Sequence, residues 1–281
     1  MPLGKAAEYG YLSARCHVLR SQLIDSARLK ELAVSRSIGE LVSALSTTPY
    51  APFITDISIE GVYKGLTAAF EYQHKRLTGD LKKKYLDIFT LFFNTKYALL
   101  DEKTANISVT GAEEIFCQID RDYILLLEKS MRELPSSERR QIKKIVGSYF
   151  DLLNLYNLVK FRLLYGLSIE ETLSNMLPYA EKFTIVALTE LCSAKSLQEL
   201  SVLIKPVLGE GFDDYETFRQ VLYRYHRKQL LSVWSGYPFS LALPFSLLRL
   251  IEIEISDLRA ITEGIAFGLD SKEITLMTVG G

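Results

Sequence analysis

Cysteine, histidine, proline and glycine are all scarce in this chain, and each scarcity removes a class of protein. Three cysteines in 281 residues, Cys16, Cys117 and Cys192, are odd in number and far apart. They suit small buried hydrophobes in a reducing, cytosolic setting better than a disulfide framework. None of the three histidines, His17, His74 and His226, stands at ligand spacing from another histidine, a cysteine or a pair of acids, so no zinc or iron site is expected. The opening residues MPLGKAAEYG lack an apolar core for a secretory signal. No long hydrophobic run is present either. The most apolar stretch, Tyr237 to Ile251, is broken by Pro238, Pro244 and Arg249 and falls short of the roughly 20 residues of a membrane-spanning helix. Excess charge of one sign is missing too: 33 basic residues against 34 acidic ones give a net charge of -1. That balance argues against a surface built for nucleic acid or anionic lipid, so any membrane association is expected through a protein partner.

What is present is apolar content and repetition. The 48% hydrophobic share allows a large core. Sixteen glycines and eight prolines leave long stretches with apolar residues at three- and four-residue steps, so the chain reads as nearly all helix. Tyr85, Ile88, Phe89, Phe92, Phe93 and Tyr97 trace one such face. The pattern predicts helices near 6–34, 37–46, 60–78, 81–102, 110–133, 136–165, 168–174, 179–192, 196–204, 213–232, 240–267 and 270–277. Ser37 with Glu40, Thr110 with Glu113, Ser168 with Glu171, Ser196 with Glu199 and Asp270 with Glu273 have capping-box spacing, in which a cap side chain and a carboxylate satisfy free N–H groups reciprocally. Gly166 and Gly268 each end a long helix in similar turns, Gly-Leu-Ser and Gly-Leu-Asp.

One helical segment occurs twice, sixty-four residues apart: YLDIFTLFFNTKYALL from Tyr85 and YFDLLNLYNLVKFRLL from Tyr149, identical at six of sixteen positions. A weaker third copy, Leu250 to Gly268, aligns Glu254 with Asp151 and Asp257 with Asn154. Each copy sets an acid in an apolar helix and a hydrogen-bonding side chain three residues on: Asp87 and Thr90, Asp151 and Asn154, Glu254 and Asp257. Residues at i and i+3 share a face. Either that stripe faces water, or it packs against a crossing helix and pairs with a cation or an N–H there, because a half-buried carboxylate needs a partner. Arg15, Arg162, Arg224, Arg227 and Arg259 are available on long helices. The short capped helices after Ser37 and Ser196 repeat as well. A recurring unit that buries its apolar face against neighbouring copies points to a structural or binding surface before an active site.

No nucleophile elbow or phosphate-binding loop is present, and Gly209-Glu-Gly211 lacks both a third glycine and a preceding strand. Asp213-Asp214-Tyr215-Glu216 resembles the acid clusters of helical diphosphate enzymes but sits directly before a helix, where acids serve the N-terminus. No catalytic, cofactor-binding or metal-binding residue is expected.

Over almost its whole length the chain resembles the C-subunit family of the A-type and V-type rotary ATPases, whose eukaryotic vacuolar member is the d subunit. The resemblance rests on Tyr11-Leu-Ser-Ala-Arg15, on Ser37 to Tyr50, on Asp151-Leu-Leu-Asn154-Leu155 with Lys160-Phe-Arg162, and on Glu254-Ile-Ser-Asp257-Leu258-Arg259 with Gly268-Leu-Asp-Ser-Lys-Glu273. Cys16-His17, Asp257 and Thr90 depart from the family pattern. The resemblance implies an elongated all-α funnel of three related helical units with pseudo-threefold symmetry, at 1–104, 105–172 and 173–281. It further implies a non-catalytic member of the central stalk on the cytoplasmic face of the membrane. Its partners would be the central shaft subunits and the rotor-ring proteolipid, and it would pass torque for proton or sodium transport. Arg15, Asn154, Arg162, Asp257 and Arg259 are then candidates for lining or bracing the cavity. The alternative is a free helical-repeat adaptor for peptides or coiled coils.

Overall fold

Long apolar-periodic stretches with a cap at each break fold here as helix, and no strand forms among the described residues. The computed structural model describes residues 3–94 and 123–279. Tyr97, Thr110 with Glu113, Cys117 and the expected remainder of helices 81–102 and 110–133 lie outside the described residues. The helices are α1 (Leu3–Arg20), α2 (Ser26–Leu32), α3 (Ile38–Leu45), α4 (Ile59–Thr78), α5 (Lys83–Phe89), α6 (123–132), α7 (Ser136–Leu158), α8 (Ile169–Ser174), α9 (Ile185–Leu191), α10 (Leu197–Leu208), α11 (Tyr215–Ser232), α12 (Ala242–Ala266) and α13 (Ser271–Met277).

Two expected helices are shorter than their periodicity suggests. The helix expected at 6–34 is two, because Asp25 caps α2 by accepting from the Arg28 N–H and the turn before it is held from elsewhere in the fold. The helix expected at 179–192 begins only at Ile185, since the backbone of 181–183 gives its N–H groups to Asp151.

The described caps at the expected positions form, and they sort as the sequence repeats do. Ser168 and Asp270, each following a Gly-Leu turn, make complete capping boxes with Glu171 and Glu273. Ser37 and Ser196 accept from the N–H of Glu40 and Glu199, whose carboxylates reach one residue further back, to the N–H of Arg36 and Lys195. The acid-to-glycine spacing is fifteen residues from Asp151 to Gly166 and fourteen from Glu254 to Gly268. The extra residue is absorbed where α7 widens into a π-helical turn, Val159–Leu164, the form a single insertion takes in an α-helix. Both copies therefore still reach a left-handed glycine, Gly166 at φ 69° and Gly268 at φ 71°. After α12 the Leu269 N–H bonds the Gly264 carbonyl, closing a Schellman turn. A Cβ on Gly268 would meet nothing within 4 Å, so Gly268→Ala isolates the backbone strain. Denaturant unfolding is expected to show a loss of about 1 kcal/mol.

By packing, the chain forms two units, Met1–Asp80 with Arg219–Gly281, and Leu81–Phe218. In the first, α12 is the axis, packed by α4, α13, α1, α3 and α2. Twenty of its residues are buried, including Leu247, Leu248, Leu258 and Ile261; the N-terminal half is enclosed, while Ser256, Glu263 and Ala266 leave one face of the C-terminal half exposed. In the second, α7 is the axis. Phe92 of the π-helical turn Thr90–Asn94 stacks edge-on against Phe93 at 5.0 Å and Tyr149 at 5.4 Å, and Phe150 packs on Tyr179 at 5.5 Å. Tyr85, Ile88, Phe89, Phe92 and Phe93 of the expected apolar face are buried. Each fully buried aliphatic or Phe side chain along these two axes contributes about 1.5–3 kcal/mol. Cys16 and Cys192 are buried free thiols, and burial pushes Cys16 up to about 12.

Candidate functional site

An acid on the buried face of a helix is stripped of water, so it must find donors inside the protein. In the second copy, Asp151 is fully buried and gathers three consecutive N–H groups. Glu181, Lys182 and Phe183 all donate to its carboxylate, at 3.0–3.1 Å. Three residues on, Asn154 pairs with the same connecting segment. Its carbonyl accepts from the Leu177 N–H at 2.8 Å while its amide donates to the carbonyls of Leu177 and Tyr179. An amide fits this position because it carries both a donor and acceptors; an acid there would oppose two carbonyls. In the third copy Glu254 accepts from the Ile24 N–H and the Tyr50 hydroxyl, both at 2.6 Å, and Asp257 accepts from the Val279 N–H at 2.7 Å.

Of the two readings of the stripe, pairing with N–H groups holds for these copies, and the donors come from connecting segments more than from crossing helices. The first copy differs: Asp87 and Thr90 are exposed. Burial is the main influence on Glu254 and pushes it up to about 7, against the opposing effect of its two hydrogen bonds.

Two of the candidate arginines, Arg162 and Arg15, work on helix ends, and Arg259 on the side of α4. Arg162 donates from Nε to the Cys192 carbonyl at 3.0 Å and from its terminal nitrogen to the Leu167 carbonyl at 2.8 Å, tying the end of α9 to the Gly166 turn. Arg15 donates to the Arg76 carbonyl at the end of α4, lies 3.6 Å from the Asp80 carboxylate, and stacks over Tyr11. Arg259 donates to the Thr67 hydroxyl at 2.8 Å and covers the Tyr63 ring, bordering a surface groove along α4. Asn154 and Asp257 are thus fixed by backbone partners, and the three arginines join helices within their own unit.

Sequence reasoning marked Asp151 and Glu254 as acids of the repeated stripe but placed only Asn154 and Asp257 of the two pairs among the cavity candidates, although the acids are the stronger anchors. It also missed a second buried network, in which Arg249 bonds Glu252 at 2.8 Å and His226 at 3.2 Å. The only sequence signal for that network is an Arg and a Glu at i, i+3 at the end of the most apolar stretch. The acid cluster before α11 has a local task. Asp214 accepts from the Thr217 N–H and hydroxyl at 2.7 Å, and these bonds hold its carboxyl below the usual range. Among the described residues no three acidic, histidine or cysteine side chains gather as a metal site, and no helix is long and apolar enough to cross a membrane.

A helix that uses an acid and a neighbouring polar side chain to hold its own connecting segments fixes those segments in place. The chain is 23% identical to the C subunit of the A-type ATP synthase of Methanocaldococcus jannaschii, over 97% of this chain and 86% of the relative. It is 21% identical to the corresponding A-type ATP synthase C subunit of Thermococcus kodakarensis, over 97% and 90%, and 23% identical to that of Thermococcus onnurineus, over 96% and 90%. The model of the ATP synthase (C/AC39) subunit family matches residues 78–277, which contain the buried clamp residues Asp151, Asn154, Glu254 and Asp257, and the chain belongs to that family.

Proposed function

We propose that this chain is a non-catalytic member of the central stalk of an A/V-type rotary ATPase, receiving the central shaft and joining it to the membrane rotor ring. The observation that carries the reading is the full-length similarity to A-type ATP synthase C subunits, read with the buried acid and amide clamps. Torque transmission asks for helices that do not slide against their connections. A carboxylate gripping three N–H groups resists such sliding, since each bond broken in the interior exposes an unpaired polar group. On this reading the chain is a funnel of three related units with pseudo-threefold symmetry, built on the repeated helices, and it sits peripherally on the cytoplasmic face of the membrane. Arg15, Asn154, Arg162, Asp257 and Arg259 brace or line its cavity, and no bond is made or broken in the chain itself.

The test is a native pull-down with this chain as bait from gently detergent-solubilised host membranes, followed by mass spectrometry. Recovery of the nucleotide-binding head, the shaft and the ring proteolipid is the expected result. A chain recovered without any other ATPase component would overturn the reading in favour of a free helical-repeat adaptor.

A further inference from the structure

The polar pairs of α7 and α12 are reached by the chain in different ways. On α7 one continuous stretch serves both residues: Leu177 bonds Asn154, and Glu181, Lys182 and Phe183 bond Asp151 before Thr184 leads into α9. On α12 the matching stretch comes in two pieces. Gly268, Asp270, Glu273 and Val279 stand 102 residues after Gly166, Ser168, Glu171 and Leu177, and Val279 bonds Asp257 as Leu177 bonds Asn154. Ile24, Asp25 and Ser37 stand 159 residues before Phe183, Thr184 and Ser196, and Ile24 bonds Glu254 as Phe183 bonds Asp151. The two pieces that meet on α12 are therefore 255 residues apart in the chain, where their counterparts on α7 are six apart.

We propose that this seam makes α13, with Thr278 and Val279, a strap that opens from α12 without the rest of its unit. Segment 177–183 cannot leave α7 without pulling on a helix at each end, α8 and α9, whereas Val279 has no such tie to Ile24. A segment held at both ends gains less freedom when its bonds break, so it opens less often.

The strap is also lightly seated. It packs on α12 and α2, with Ile274, Thr278 and Val279 buried and Ser271, Lys272, Glu273 and Leu276 exposed. Ile274 lies against Gly264 of α12, where an added Cβ would stand 2.6 Å from its Cγ1. Asp257 takes the Val279 N–H at 2.7 Å, and Arg219 of α11 donates to the carbonyls of Leu276 and Met277. So few buried side chains place a segment at the low end of local stability. Gly268, in the left-handed region at φ 71°, is the joint about which the strap turns. Open, it uncovers the Asp257 carboxylate and the notch at Gly264.

Hydrogen exchange of the intact chain, read by mass spectrometry and corrected for intrinsic rates, tests this on matched amides. Those of 275–279 are expected to open at least about tenfold more often than those of 177–183. Asp257→Ala removes the acceptor of the Val279 N–H, and Gly264→Ala crowds Ile274 only while the strap is seated. Each is expected to raise opening at 275–279 by roughly another tenfold and to leave 177–183 unchanged. Equal opening of the two segments in the unaltered chain would overturn the strap. So would a response to Gly264→Ala that is absent or that spreads evenly over α12 and α4, because the strap would then open only with its whole unit. Should Asp257→Ala fail to fold, Gly264→Ala decides, since alanine favours the helix it joins.

Discussion

Replacing Asp151 with alanine is expected to destabilise the second unit by about 3–5 kcal/mol, the loss that follows when one member of a buried, mutually dependent polar set is removed. The carboxylate is fully buried, and three backbone donors converge on it. Without it, the N–H groups of Glu181, Lys182 and Phe183 lose a shared acceptor, and each unsatisfied donor costs about 1–3 kcal/mol where water does not reach it. Not all three stay dry, since Phe183 is buried while Glu181 is half-buried and Lys182 exposed, and this keeps the total below the simple sum. Total stability for a chain of this kind is about 5–15 kcal/mol, so the variant sits close to its unfolding threshold. Asp151→Asn keeps one acceptor oxygen but turns an amide toward N–H groups, and is expected to lose roughly half as much. Urea unfolding followed by circular dichroism measures both. A cost below about 1 kcal/mol for Asp151→Ala would mean that the segment finds other acceptors and that the clamp is not what holds it.

The same clamp explains which parts of the fold were legible in the sequence. Helices were readable wherever the information is local. Apolar spacing fixed the buried face from Tyr85 to Phe93, and the cap pairs at Ser37, Ser168, Ser196 and Asp270 and the turns at Gly166 and Gly268 announced their breaks. Breaks enforced from a distance were not readable. The stretch 21–25 contains no glycine or proline and continues a helical pattern, yet Glu254, 230 residues away, takes the Ile24 N–H that a continuous helix would use internally. The residues before Ile185 were misread for the same reason, with Asp151 about thirty residues upstream. For the candidate site, the acid and amide pairs were visible as a repeated motif, and a cation or an N–H was the expected partner, but only the arginines could be named in advance. Backbone N–H groups, which every sequence carries, leave no mark by which they could be chosen. The exposed pair Asp87 and Thr90 marks the limit of the repeat as a guide, because the same spacing faces water in one copy and the interior in the others.

Gly147→Val is the second large effect, at about 3–5 kcal/mol, and it tests whether the glycine and Asp151 act as one device. Gly147 lies one turn before Asp151 on α7, on the face that the connecting segment crosses. A Cβ at that position would stand 2.8 Å from the Glu181 Cβ and 3.1 Å from the Glu181 Cα and N. In most helix interiors, exchanging glycine for alanine stabilises by about 1 kcal/mol. Here the sign reverses, because Glu181 cannot retreat while its N–H is bonded to Asp151, and overpacking of a fixed backbone costs about 1–3 kcal/mol even for one methyl group. Valine adds two more carbons and a stiff χ1, which carries the loss above that range. If the close approach exists to bring the 181–183 backbone onto the carboxylate, then removing the carboxylate should relax the crowding. In an Asp151→Ala background, Gly147→Ala is therefore expected to cost about 1–2 kcal/mol less than in the unaltered chain, measured as a double-mutant cycle by urea unfolding. Additivity within about 0.5 kcal/mol would separate the two residues and leave Gly147 as a packing contact independent of the clamp.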